Sequence, residues 1–162
     1  MDPEFQLYDE DASILLSPTI LSRSWDVRQW TKLPSVLYID SGIYTDQNSR
    51  PSVEAILDAQ VRISNNISSI PVFYSHPDIL LLKGLDQVQM INSVNESLRR
   101  AADYIDLFKE KGVNGEPVGV IHGLEPETIY LSYQRLTQMG YEYFAIGSLS
   151  VRITHYRQKV IN

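Results

Sequence analysis

The sequence predicts an α/β fold in which mainly parallel strands alternate with helices, and three observations support this. Short apolar runs recur along the chain, and most are followed at once by polar residues or glycine. Between them lie longer segments with apolar residues at spacings of three and four, as in amphipathic helices. The chain has 162 residues, too few for a complete eight-stranded (β/α) barrel, which needs about 250. The alternation therefore indicates either an open parallel sheet or, as we expect, a partial (β/α) TIM-type barrel.

Five apolar runs are the expected strands. The run 35–39 is followed directly by Asp40 and the run 117–121 by His122, so each ends abruptly at a polar residue. A short apolar run bounded by turn residues is typical of a buried strand in a parallel sheet. The expected strands are 14–18, 35–39, 70–74, 117–121 and 141–146.

Three helices are expected to connect the last four of these strands. Pro51 and Ser52 open the first helix, and the longest helical pattern covers residues 86–111. The last helix has Pro126 in its first turn, where proline is tolerated, and Gly140 at its end, where glycine permits a left-handed turn. Each of these strands is thus joined to the next by a helix, which is the crossover that parallel pairing requires.

Composition restricts the classes of function that are expected. The net charge of −6 argues against a broad phosphate-binding surface on this chain. The chain has no cysteine for disulfides or thiolate metal sites, and its three histidines lack metal-ligand spacing, so no metal or other cofactor is expected. No apolar run approaches the roughly 20 residues of a membrane span, and no secretory signal is recognisable. We therefore expect a cytoplasmic protein without a membrane partner.

The expected domain organisation is simple. The first five residues, MDPEF, read like a translated cloning polylinker and are expected to be a cloning scar. Residues 6–162 are expected to form a single α/β domain, the N-terminal part of a larger barrel. An incomplete parallel barrel leaves an edge strand unpaired, so we expect either a homo-oligomer or pairing with a separate C-terminal half.

Polar residues and glycines follow four of the expected strands. The carboxyl ends of parallel strands meet at the edge of the sheet where α/β proteins place their sites. Asp40 is the best single candidate for chemistry, because a carboxylate at a strand end can accept or relay a proton. The candidates are Asp40, Ser41, Gly42, Asp78, His122, Gly123, Gly147 and Ser148.

Each candidate also has a purely structural alternative. Asp40 could cap its own turn, and Asp78 could merely start a loop after Pro77. His122 could donate to a ligand oxygen or be a packed histidine with its own partners. Gly123 and Gly147 could let backbone N–H groups face a flat ligand, or they could serve turn geometry alone. The sequence leaves these alternatives open.

Four segments of the chain resemble the tRNA-guanine (queuine/archaeosine) transglycosylase family. Residues 38–42, YIDSG, resemble its D-S-G-G motif, and residues 51–60 resemble the following helix with its terminal glutamine. Residues 119–123, GVIHG, resemble its G-x-V-Q-G segment. Residues 139–149, MGYEYFAIGSL, resemble G-[FY]-D-G-[YF]-A-I-G-G-L, which is the most specific of the four. The resemblance covers roughly residues 35–151.

The resemblance implies a (β/α) barrel that exchanges a guanine in a polynucleotide for a 7-deazaguanine, which is a pentosyltransferase reaction. In that family an aspartate attacks C1′, and the incoming base then displaces the enzyme. Carried over position by position, Asp40 would assist proton transfer, and Asp78 lies near the family's base-reading aspartate. The residues that would contact the base are Ser41, Gly42, Asp78, His122, Gly123, Gly147, Ser148 and Leu149.

Several positions depart from the family pattern. Ile43 and Ser148 replace glycines, and His122 replaces a glutamine. Such changes are similar to those of divergent relatives that insert 7-deazaguanine into DNA, so the polynucleotide is expected to be either tRNA or DNA. In the family the nucleophilic aspartate and a cysteine-rich zinc site follow the last motif, and we expect this chain to lack both. The alternative function is a non-catalytic accessory protein, built on part of the barrel, that binds a purine or nucleic acid.

Overall fold

One sheet of five parallel strands organises the part of the chain that the structure describes. The computed structural model describes residues 12–19, 21, 26–30, 32–42, 51–79 and 85–147. The strands lie in the sheet in chain order, each parallel to its neighbour. This confirms the predicted α/β class and the parallel alternation. The strands are β1 (Ser13–Leu16), β2 (Val36–Ile39), β3 (Val72–Ser75), β4 (Glu116–Ile121) and β5 (Tyr143–Ile146).

Three helices make the crossovers between the last four strands. They are α1 (Val53–Ser64), α2 (Gln87–Glu110) and α3 (Pro126–Met139), and a short 3-10 turn, Val27–Gln29, lies between β1 and β2. Right-handed crossovers between sequentially adjacent strands place successive helices on the same face of a sheet. Accordingly α1 packs against α2, and α2 packs against α3. The arrangement is compatible with part of a (β/α) fold.

The helix ends follow local sequence signals. The Ser52 hydroxyl accepts the Ala55 N–H at 3.1 Å at the start of α1. Pro126 is the first residue of α3, and Gly140 ends that helix with a φ of +97°, so both predicted signals are confirmed. No helix within the described ranges is long and apolar enough to cross a membrane.

The two faces of the sheet have different surroundings. Alternate strand residues pack against the helices, and the main cluster combines β2 and β3 with α1 and α2. The residues between them point to the opposite face, where the rings of Phe73 and Tyr143 meet edge to face at 5.0 Å. We call this opposite face the second face, and it includes Tyr38, Phe73, Ser75, Val118 and Tyr143. The helix-facing cluster includes Leu37, Ile39, Leu57, Ile63, Val72, Tyr74, Tyr104 and Phe108.

The last strand begins two residues later than predicted. Tyr141 belongs to the apolar run 141–146, but it is buried between α2 and α3, and its hydroxyl donates to the Ala101 carbonyl at 2.8 Å. It therefore anchors the end of α3 to α2 before β5 starts at Tyr143. The expected cloning scar at 1–5 lies outside the described residues, and self-association remains a prediction.

The core at the α1 interface can be tested by removing one side chain. Leu57 is fully buried in the main cluster, so Leu57→Ala should lower the free energy of unfolding by about 2–5 kcal/mol. The control is Val88→Ala on the exposed side of α2, which should change it by less than about 0.5 kcal/mol. Urea unfolding measures both variants. Equal effects would show that α1 does not pack on the sheet in this way.

Candidate functional site

The carboxyl edge of the sheet carries most of the residues predicted to form the site. Asp40, Ser41 and Gly42 follow β2, and Asp78 lies three residues beyond β3. The remaining described candidates follow the next two strands: His122 and Gly123 after β4, and Gly147 after β5. Ser148 and Leu149 lie outside the described residues.

Asp40 uses its two carboxylate oxygens differently. Oδ2 accepts the backbone N–H of Gly42 at 3.0 Å, which closes a turn directly after β2. Oδ1 lies 3.4 Å from the hydroxyl of Ser75 on the neighbouring strand. One carboxylate oxygen of Asp40 thus caps its own turn, while the other makes a polar contact between the ends of β2 and β3.

Ser41 and Gly42 form the turn beside Asp40 and lie close to the end of β1. Ser41 is buried, and Gly42 has a φ of +75° that favours glycine. A Cβ at Gly42 would lie 2.9 Å from the Thr19 side chain. This side of the turn therefore packs on the chain that follows β1.

Tyr38 lies near Asp40 and Ser75 but was not among the predicted site residues. Burial raises the pKa of Tyr38 to about 12, and the nearby negative charges of Asp40 and Asp78 act in the same direction, against a hydrogen bond with Ser75. Tyr38 is therefore a neutral hydroxyl near both carboxylates at physiological pH. The signal that could have found it is the strand period of two, which places Tyr38 on the same face as Asp40.

Asp78, His122 and Gly147 bring together the ends of β3, β4 and β5. The Nδ1 atom of His122 lies 3.5 Å from Oδ2 of Asp78, whose side chain is 20% exposed. A Cβ at Gly147 would lie 3.0 Å from the same oxygen and 2.7 Å from Cγ1 of Val120. Glycine at 147 therefore lets the end of β5 pack closely against Asp78 and Val120, where a side chain would clash.

The charge state of Asp78 follows from its neighbours. Burial alone would raise the pKa of the Asp78 carboxyl, but His122 and His76 outweigh burial and hold that pKa below its ordinary value. Asp78 is therefore an anion at neutral pH. It presents a partly exposed hydrogen-bond acceptor at the carboxyl edge.

His122 is buried, and its ring is only loosely paired by the described protein, with the Asp78 carboxylate 3.5 Å from Nδ1. Its side chain is fully buried, and among the described residues neither ring nitrogen has a hydrogen-bond partner. Its backbone is well held, because the His122 N–H donates to the Ser132 hydroxyl of α3 at 2.9 Å. An unpaired buried polar group costs about 1–3 kcal/mol, so such groups call for an explanation. A ligand that pairs with the imidazole provides one.

His76 also lies in this region; the sequence places it at the polar end of a strand, but it was not among the predicted site residues. Its Nδ1 accepts the Val120 N–H at 3.0 Å, so the proton of the neutral ring is on Nε2. Within the described part of the chain, Nε2 has no hydrogen-bond partner. Burial is the main cause that lowers the pKa of His76 to about 4, and His122 and Arg100 act in the same direction, against Asp78 and a backbone hydrogen bond with Val118.

Gly123 directly follows His122 and packs against the start of α3. Its φ of +136° and the absence of a side chain allow it to pack on the first turn of α3. A Cβ there would lie 2.6 Å from the Thr128 hydroxyl and 2.9 Å from the Ile129 nitrogen. The absence of a side chain at Gly123 therefore allows close packing on α3, whereas Gly147 adjoins Asp78.

No protein-family model matches the chain, and no curated protein matches it. In the described ranges, no group of three or more histidine, aspartate or glutamate side chains could hold a metal ion. The class of protein is therefore defined by the fold and by the polar residues at the carboxyl edge of the sheet alone. This is an α/β protein with a polar, partly buried cluster at the carboxyl edge of a parallel sheet.

The burial of His76 predicts a pH dependence of stability. The unfolded histidine has a pKa near 6.5 and the folded one a pKa of about 4, so the unfolded state binds the proton first as pH falls. The contribution of the neutral, buried His76 to the free energy of unfolding is complete above about pH 6.5 and is lost as pH falls toward 4. The loss should reach about 3 kcal/mol of unfolding free energy.

Urea unfolding of the wild type and His76→Gln between pH 4 and 7 isolates this contribution. The wild type should lose more stability on acidification than the variant, because glutamine does not titrate. Parallel pH profiles would contradict the prediction. NMR titration of the wild-type imidazole gives a second measurement, in which His76 should stay neutral below pH 5.

Proposed function

We propose that the carboxyl edge of this sheet binds a purine or 7-deazapurine base. The protein is then a base-exchange transglycosylase-like protein, with a partial (β/α) barrel, that replaces a guanine in tRNA or DNA by a 7-deazaguanine. The observation that carries the proposal is the Asp78–His122 pair, in which an anionic carboxylate lies 3.5 Å from a buried imidazole without hydrogen-bond partners among the described residues. The sequence resemblance supports the same reading.

The chemistry of the pair matches the edge of a guanine-type base. Guanine presents N–H donors on one part of its edge and the acceptors O6 and N7 on another, and a 7-deazaguanine keeps O6 but has carbon in place of N7. The Asp78 carboxylate can accept the N–H groups, and the His122 imidazole can donate to an acceptor.

Asp40 is the proposed proton-transfer residue. Its Oδ1 lies 3.4 Å from the Ser75 hydroxyl, and its charge acts on Tyr38 together with that of Asp78. The two carboxylates therefore lie near one hydroxyl on the second face of the sheet. This proximity supports a single site in which Asp78 holds the base edge and Asp40 takes or returns a proton.

The cysteine-rich zinc site of the resembled family does not fit this chain, which contains no cysteine. No step of the proposal uses a metal. The contributions of the described residues are to hold the base, to orient it and to move a proton at the Asp40 carboxylate.

Calorimetric titration with guanine and with 7-cyano-7-deazaguanine tests the base site. The wild type should bind, and Asp78→Asn should weaken binding by about tenfold or more, because it removes the charge that accepts the base N–H groups. Asp40→Asn should weaken binding less, since one Asp40 oxygen is already used by Gly42.

The matched control is Asp103→Asn, which neutralises an exposed carboxylate on α2 that is paired with Arg99. It should bind both bases as the wild type does. No binding by the wild type, or equal binding by all three variants, would refute the base site. Base exchange is assayed separately with labelled guanine in tRNA and in DNA, and exchange by this chain would refute the non-catalytic accessory-protein alternative.

A further inference from the structure

We infer that Gln60, oriented by Tyr104, is a positioning residue that fixes the separation of the two strand ends carrying Asp40 and Ser75. The consequence for base binding rests on the proposed function, whereas the geometric part of the inference does not. Gln60 lies in the last turn and a half of α1, on the helix side of the sheet, and is fully buried.

The Gln60 side chain holds carbonyl groups from both strands at once. Its Nε2 atom lies 2.9 Å from the backbone carbonyl oxygen of Ser75, 3.2 Å from that of Asp40 and 3.3 Å from that of Ile39. The registered pairing of β2 with β3 ends at Ile39 and Tyr74. Gln60 therefore joins the two strands one residue beyond the point where their own pairing stops.

Tyr104 on α2 determines which way the amide points. Its hydroxyl lies 2.7 Å from Gln60 Oε1 and donates to it, and both groups are buried. Carbonyl oxygens can only accept, so the three strand carbonyls require the NH₂ group of Gln60 on their side. The Tyr104 hydroxyl and the three strand carbonyls therefore favour the same orientation of the Gln60 amide.

This connection reaches the proposed site through the backbone. The Gln60 amide contacts the main chain of Asp40 and Ser75 on the helix side, while their side chains meet each other at 3.4 Å. Without the amide, these carbonyls would lack their buried donor, and the two strand ends would shift to regain one. Asp40 would then move relative to Ser75 and Tyr38.

The chain contains a matched pair of tyrosines that separates positioning from stability. Tyr104 and Tyr74 are both fully buried in the same cluster, and each hydroxyl lies 2.7 Å from a side chain of α1. Tyr104 contacts Gln60, whereas Tyr74 contacts Ser64 at the last position of the helix. Replacing either by phenylalanine removes one buried hydrogen bond, but only Tyr104→Phe releases the amide that joins the strand ends.

The test compares Tyr104→Phe, Gln60→Met and Tyr74→Phe by two measurements. The first is the NMR shift, without ligand, of the Gly42 N–H, which donates to Asp40 Oδ2. The second is calorimetric affinity for guanine. Tyr104→Phe and Gln60→Met should shift the Gly42 resonance and weaken guanine binding by about fivefold or more. Tyr74→Phe should leave both at wild-type values despite a similar loss of stability.

The inference is overturned if Gly42 keeps its wild-type shift in Tyr104→Phe, or if Tyr74→Phe shifts it equally. It is also overturned if guanine affinity falls by the same factor in both tyrosine variants. If the wild type does not bind guanine, the proposed function fails, and the Gly42 shift still decides the role of Gln60. If Gln60→Met does not fold, Tyr104→Phe, which retains the Gln60 side chain and removes only the hydroxyl that orients it, provides the decisive comparison.

Discussion

Parallel pairing of the strands is the constraint on which the rest of this structure depends. Each strand must return to the same end of the sheet before the next begins, so a helix or turn separates every pair. The helices pack side by side against one face, and all strands finish at one edge. Asp40, Asp78, His122 and Gly147 are far apart in sequence, yet this topology delivers all four to that edge.

The carboxyl edge distinguishes buried polar groups that support the fold from those that fit a ligand. Gln60 is fully buried, and both ends of its amide have protein partners within 3.3 Å. His122 is buried as completely, but its ring has a nearby carboxylate and no hydrogen bond within the described ranges. Because burial makes an unpaired polar group costly, this difference favours a binding role for His122 and a positioning role for Gln60.

Burial also sets the charges that a ligand would meet. Tyr38 and His76 are neutral at physiological pH because burial disfavours their charged forms. Asp78 remains an anion because two imidazoles oppose the effect of its burial. A site that presents the carboxylates of Asp78 and Asp40 beside the neutral Tyr38 hydroxyl suits a neutral heterocycle with N–H groups better than it suits a phosphate.

The sequence alone determined the kinds of element and several of their ends, because those signals are local. Pro126 starts α3 and Gly140 ends it through backbone preferences that need no tertiary contact. The polar residues at the strand ends were equally visible. Their position at one edge of the sheet was also expected, but the contacts between them were not: Gly123 packs on α3 while Gly147 adjoins Asp78, although both are glycines at the ends of apolar runs.

Only the tertiary structure decided which residues act together, since contacts between distant segments leave no periodic trace in the sequence. The sequence predicts Tyr141 to be part of a strand, yet it is buried against α2, and β5 begins only at Tyr143. Gln60 is visible in the sequence as the last residue of a helical segment that resembles the family's, but nothing in that segment shows that its amide spans two strand ends. Burial and hydrogen-bond satisfaction, which decide these roles, are properties of the packed chain and not of any single segment.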